Sequence, residues 1–348
     1  MNTPEARCLG NKLIKPKLSY FLAATVVYAG FVVFLYQPNF QFFEKKEYLV
    51  LINIVLAAIG CYVLSGRWAV SFWARFFAGA LYGFGPFMLG LAEFHPTAGT
   101  LAASVPWLFL PAAFFSKDKW RWLQVPLSFL PFLSIIVFFQ LSAHWRLFSL
   151  PIQSRLVLDD LPGLLAPLVA VERGSTLAGF YHVPIAPLVM GLAMLLAARR
   201  FGVIIIFCIA LIPAFCNSFC SVSPLIWLTI PLLCCSVMIG EGIQGLASAG
   251  FADRRWVLLA AIIMGVLSVI MLLMATKYFQ AFAGLGDRYA KLLVETAQMY
   301  VLGAIAVIII FFMIRSKMRM HWLRLVILCS AAALDIFYCA QILVDKSL

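Results

Sequence analysis

Apolar runs of helix length recur along almost the whole chain, separated by short polar connections. A water-soluble chain of this size would cover its core with charge. Here only 11% of the residues are charged and 64% are hydrophobic, against about 25% charged in soluble domains. A mean hydropathy of +1.01 says the same. Most of the surface must therefore face lipid. Unsatisfied backbone groups in hydrocarbon each cost several kcal/mol, so only helices or a closed barrel can cross it. The runs are continuous rather than alternating in ten-residue segments, which excludes a barrel. The expected fold is all-α: a polytopic integral membrane protein forming one transmembrane domain over residues 1–348.

Eleven spans are read from the hydropathy pattern, at 18–36, 49–65, 76–91, 99–115, 123–142, 181–198, 202–217, 222–240, 257–276, 297–314 and 325–343. Several fall short of the ~20 residues an upright helix needs, which implies tilting, interfacial extension or re-entry. The first run reads as a span and not a cleavable signal, because Tyr36-Gln37-Pro38 offers no small-residue cleavage site. Orientation follows from the basic residues. With the N-terminus inside, 17 of the 26 Lys and Arg fall on cytoplasmic connections, which predicts N-in and C-out topology in a bacterial cytoplasmic (inner) membrane. One connection is long, the outer-face loop at 143–180, and its apolar stretch Leu164–Val169 suggests a short helix lying on the membrane.

The net charge of +12 is carried by short clusters at the ends of apolar runs. That is a topology signal, not a basic groove, and it argues against nucleic acid as a partner. The nine cysteines include no CxxC, and most read as small apolar side chains. Cys216 and Cys220 could share a helix face, which leaves a disulfide or metal role open. There is no Walker A sequence, HExxH zinc site or GxSxG elbow. The four histidines lie in loops or at span ends, unlike the paired mid-span ligands of a haem carrier.

The candidates for chemistry lie on the expected outer face. Glu93 and His95 stand two residues apart in a turn before Pro96, where they could bind a polar head group or handle a proton. Equally, the turn could be a polar interfacial connection. In the long loop, Asp159 and Asp160 could hold a divalent cation that binds phosphate, with His182 at the loop's end; alternatively Asp159 caps a short helix. Asp335 lies within an apolar span, where an acid points to function, an interhelical partner or a shift toward the interface. Residues 287–295 read as a solvated helical turn with i,i+4 charge pairing.

The segment Ile52–Leu64, followed by Ala74-Arg75-Phe76-Phe77-Ala78-Gly79-Ala80-Leu81-Tyr82-Gly83-Phe84-Gly85-Pro86, then His95 and Val105-Pro106-Trp107, resembles the GT-C-type polytopic membrane glycosyltransferases, especially their YfhO-like branch. Gly179–Leu188, Arg199-Arg200, Ile230-Pro231 and Gly240–Leu246 extend the similarity to about half the chain. The resemblance implies a catalytic acid in the first outer loop and a polyprenyl-phosphate-linked sugar donor. That loop holds Glu44 and Glu47 around Lys45-Lys46 and no aspartate, so either glutamate would have to serve as base, with Glu93, His95, Asp159 or Asp160 binding metal or phosphate.

Three functions follow. The first is a non-catalytic subunit or scaffold of a larger membrane assembly, in contact with lipid and other membrane subunits, as a degenerate relative of the GT-C enzymes. The second is a GT-C-like transferase acting on a polyprenyl-phosphate lipid, the one case in which a divalent cation is expected; no cofactor is expected otherwise. The third is a secondary transporter, which the prolines within the spans suggest. In a bacterial host, an alkaline phosphatase fusion at residue 160 should be active and one at residue 251 inactive. The reverse pattern rules out the N-in topology.

Overall fold

The computed structural model describes residues 17–38, 48–114, 121–145, 183–216, 219–281, 287–316 and 320–347. Among these residues every regular element is a helix. In chain order they are α1 (Leu18–Tyr36), α2 (Tyr48–Ser65), α3 (Phe72–Gly83), α4 (Pro86–Phe94), α5 (Pro96–Phe114), α6 (Gln124–Ser128) and α7 (Leu130–Trp145). Then come α8 (Ile185–Ala197), α9 (Gly202–Phe215), α10 (Pro224–Trp227), α11 (Thr229–Ser248), α12 (Arg254–Ala281), α13 (Asp287–Arg315) and α14 (His321–Ser347).

Among the described residues seven helices are long and apolar enough to cross a membrane, so the chain is a multi-pass membrane protein. Three more, within α7, α8 and α9, are apolar but shorter. The expected span 76–91 is broken: α3 and α4 meet at a bend of 40°. Pro86 explains the break, since it has no N–H to give and drives the residue before it out of the helical region. Gly85 accordingly sits at φ −64°, ψ 150°. The segment 123–142 also divides, at Phe129 between α6 and α7.

Helix α11 is the axis of the bundle. In the span Pro224–Ser248, 94% of the most apolar stretch is buried, against 22% in α1 and 33% in α12. Glycines let it be so enclosed. A side chain at Gly240 would press on Ala78 Cβ (2.8 Å) and Ala74 O (2.9 Å) of α3. On the other side, one at Gly242 would collide with Pro187 O of α8, and one at Gly191 of α8 with Met238 O. Without a hydrophobic drive between helices in lipid, such close approach is what gives dispersion contact its strength.

The spans are also stitched by side chains that donate to carbonyls of neighbouring helices. Tyr28 Oη donates to Phe76 O (2.6 Å), Tyr82 Oη to Ala102 O (2.8 Å) and Trp107 Nε1 to Leu56 O (3.0 Å). A helical carbonyl keeps a second lone pair for this. These bonds join α1 to α3, α3 to α5 and α2 to α5. Buried apolar residues form two clusters. One gathers α1–α5, α7, most of α9–α11 and most of α14; the other joins α8, α12 and α13 to the end of α11 and the first half of α14.

Adding a methyl group discriminates these contacts. Gly242→Ala should lower stability by at least ~1–3 kcal/mol through overpacking. Gly265→Ala, in α12, where a side chain meets nothing within 4 Å, should be neutral or stabilise by about 0.5–1 kcal/mol. Thermal unfolding of the two variants in one detergent compares them directly, and equal effects would contradict the packing described.

Candidate functional site

Contacts between distant described residues gather the last turns of α2, α5, α8 and α11 and the starts of α3, α6 and α14 at one end of the bundle. Gln244 Oε1 of α11 accepts the backbone N–H groups of Val70 (2.7 Å) and Ser71 (3.0 Å), which lie just before α3. Arg75 Nε donates to Ala69 O (2.8 Å). Arg324 Nη1 donates to Ala249 O (2.7 Å), and His321 Nδ1 lies 3.1 Å from Ala247 O. Arg67 Nη1 reaches Ala112 O (3.4 Å). In the amide orientation that satisfies both groups, the Gln124 carbonyl accepts from Arg67 Nη1 (3.1 Å) and Nη2 (2.7 Å).

This end is basic and aromatic. The four exposed tryptophans among the described residues, Trp73, Trp122, Trp256 and Trp322, all lie at or beside the start of helices that leave it. Tryptophan and arginine at one level mark the membrane–water interface.

A cavity of about 770 Å³ opens at this end, lined by Arg67, Arg199 and Arg200 and by Trp68 and Trp122. Its deeper walls are apolar, from Phe109 of α5, Phe132 of α7, Ile206 of α9 and Leu233 and Val237 of α11. Val125, Phe129, Ile205 and Ile209 line it too and are themselves exposed, so the cavity opens sideways between α6–α7 and α9. Arg67 lies 5.3 Å from the centre of the Trp68 ring. Burial and the neighbouring Arg200 charge both push the Arg67 pKa down. Arg200 Nη1 is 3.9 Å from Oε1 of Glu241, a buried acid of α11. Arg199 adopts φ 54°, the left-handed conformation that turns the chain from α8 into α9.

The residues singled out by sequence are distributed differently. Glu44, Glu47, Asp159, Asp160 and His182 lie outside the described residues. Glu93 lies in the last turn of α4 with both carboxylate oxygens shielded from solvent, close enough to act electrostatically on Tyr36 at the end of α1. His95 joins α4 to α5: its N–H donates to Leu91 O (3.0 Å) and its carbonyl accepts from Gly99 N–H (2.9 Å). Asn53 Nδ2 of α2 holds the same turn through Pro96 O (3.0 Å).

Asp335 is half-buried and lines a second cavity, of about 420 Å³, between α8, α13 and α14. It acts electrostatically on Tyr300 across the cavity and on Cys339 one turn further along α14. Glu295 lines the same cavity and takes a hydrogen bond from the Tyr338 hydroxyl. It is therefore not part of a solvated turn: an acid at the head of α13 finds its partner on the neighbouring helix. Cys216 and Cys220 are free thiols. Among the described residues no three His, Cys, Asp or Glu side chains come together as a metal site.

Sequence reasoning missed the arginine-lined cavity, because the basic residues at span ends were read as topology signals and Arg199-Arg200 otherwise only as part of a family likeness. It also missed Glu241. The expected span ended at residue 240, whereas α11 runs on to Ser248, so a second acid lies inside a span beside the adjacent pair Arg199-Arg200. No protein-family profile, curated protein or solved structure matches the chain.

Partial burial holds the His95 imidazole below its ordinary pKa of 6.5. A depressed folded pKa means the unfolded state takes up the proton first, so His95 adds pH dependence of one sign. The contribution of His95 to stability should be constant above pH ~6.5 and fall progressively below it. His95→Gln should flatten that slope when the thermal midpoint is followed from about pH 7.5 to 5. An unchanged slope would show that the imidazole is not desolvated.

Proposed function

We propose that this chain is a non-catalytic, lipid-handling subunit of a bacterial inner-membrane assembly, crossing the bilayer eleven times with its N-terminus in the cytoplasm. The observation that carries the lipid reading is the 770 Å³ cavity, whose polar mouth lies at the tryptophan level and whose apolar interior opens sideways. That volume falls within the ~300–1,000 Å³ of small-molecule sites. A sideways opening admits a ligand from the bilayer, and the order of polar and apolar lining matches an amphiphile lying parallel to the lipids.

The span count is supported by the seven long helices, the bent pair α3–α4 and the three shorter apolar helices. With those eleven crossings, the connections tied together at the basic end all fall on one side, and the excess of arginine there supports a cytoplasmic location. The exposed apolar faces of α1 and α12 can serve lipid or a neighbouring subunit. A secondary transporter is the second reading. It is favoured by the break at Gly85-Pro86 and by Glu295 and Asp335 around a cavity within the bundle, features that transporters use at their binding sites.

Native mass spectrometry of the protein released from a mild detergent tests the first reading. The wild type should retain bound lipid, and Ile209→Trp, which fills the cavity opening, should lose most of it with little change in thermal midpoint. A wild type that is lipid-free, or a variant that holds lipid equally well, defeats the lipid reading. Migration alone in the same detergent defeats the subunit reading.

A further inference from the structure

The chemistry of the cavity mouth is more specific than its shape. Three guanidinium groups line it, and the carboxylate paired with them among the described residues is Glu241. At 3.9 Å that pair is an ion pair without a good hydrogen bond, so Arg200 keeps its donors available. Arg67 spends donors on two neutral carbonyls, Ala112 O and the Gln124 amide, which orient it without cancelling its charge. Arg199 is exposed and held in position by its left-handed backbone. Among the described residues, two positive charges are thus left uncompensated around one opening.

Like charges brought together beside a low-dielectric wall repel strongly, because water screens them less there. The arrangement is relieved by an anion at the mouth. Guanidinium groups match the tetrahedral oxygens of phosphate in both geometry and charge, and basic pockets between helices on the cytoplasmic side are a known way of holding anionic head groups. The apolar walls below the arginines exclude a freely soluble anion as the whole ligand, since they would then stay exposed to water.

Resting on the lipid-handling reading, we infer that the cavity selects a glycerophospholipid with a net negative head group, its phosphate seated among Arg67, Arg199 and Arg200 and its acyl chains against α7 and α9. A zwitterionic lipid carries its own cation beside the phosphate and would place that cation against the arginines. Glu241 sets the limit of the site's charge. It offsets one arginine, so the mouth suits a head group of one or two negative charges and not a polyanion.

The test uses the full chain in nanodiscs that contain equal amounts of phosphatidylglycerol and phosphatidylcholine, with the lipids retained on release counted by native mass spectrometry. The wild type should keep phosphatidylglycerol over phosphatidylcholine by about tenfold or more. Arg199→Asn, which preserves the left-handed backbone, and Arg67→Gln should each cut that preference severalfold through loss of phosphatidylglycerol, with retained phosphatidylcholine no lower than in the wild type. Arg67→Lys should keep most of it. Since Arg67 also ties Ala112 of α5 to Gln124 of α6, Arg199→Asn is the decisive variant if Arg67→Gln unfolds. Equal retention of the two lipids by the wild type overturns the head-group inference while leaving the lipid-handling reading intact. Retention of neither lipid overturns that reading itself. Displacement of phosphatidylglycerol by millimolar glycerol phosphate, with no lipid remaining, assigns the site to a soluble phosphate and likewise overturns the inference.

Discussion

The close crossing of α11 with α3 on one side and α8 on the other is the contact on which the rest of the molecule depends. It is made by the absence of side chains at Gly240, Gly242 and Gly191. Gly240 and Gly242 are about 200° apart around a helix of 3.6 residues per turn, so they open opposite faces of one span. Between them sits Glu241, which that same geometry directs to neither of the two crowded faces and which meets Arg200 instead. One turn lower, Gln244 closes the backbone donors ahead of α3. Four positions within five residues of one helix thereby join two packing interfaces and an ion pair to the basic end.

The cavity follows from this arrangement. α9 packs on α11, and α6–α7 pack on α5, but the two groups diverge toward the lipid and leave the space that Phe132, Ile206 and Val237 line. The short helix α6 and the turn at Phe129 hold that opening at the level of the interface, where Trp122 is exposed. Apolar depth and basic mouth come from different helices, α7 and α9 on one hand and the connections after α2 and α8 on the other. The cavity thus lies at the opposite end of the bundle from Glu93 and His95. That turn has a structural duty, joining α4, α5 and α2 through backbone and Asn53 bonds.

Polar groups inside the spans mostly serve cohesion. Tyr28, Tyr82 and Trp107 bond carbonyls of adjacent helices, which replaces the hydration that lipid cannot provide. Glu295 with Tyr338, and Asp335 beside Tyr300, do the same work across α13 and α14. The latter pair of acids also borders open space, which distinguishes them from the wholly enclosed hydroxyls.

Sequence alone determined that the chain is a helical membrane protein, because hydrocarbon permits so few solutions and the apolar runs are so long. It also located most helices to within a few residues and marked the basic end, since lysine and arginine cluster there for reasons of partitioning that act locally. The break at Gly85-Pro86 was written in the residues themselves, yet the hydropathy average passed over it. Tertiary structure alone decided which glycines are contact points, because Gly242 and Gly265 look alike in an apolar run and differ only in what stands opposite. It alone decided that Arg67, 132 residues before Arg199, shares one cavity with it. Charge at a span end announces the interface to which it belongs; which other charges it meets there depends on how the helices pack.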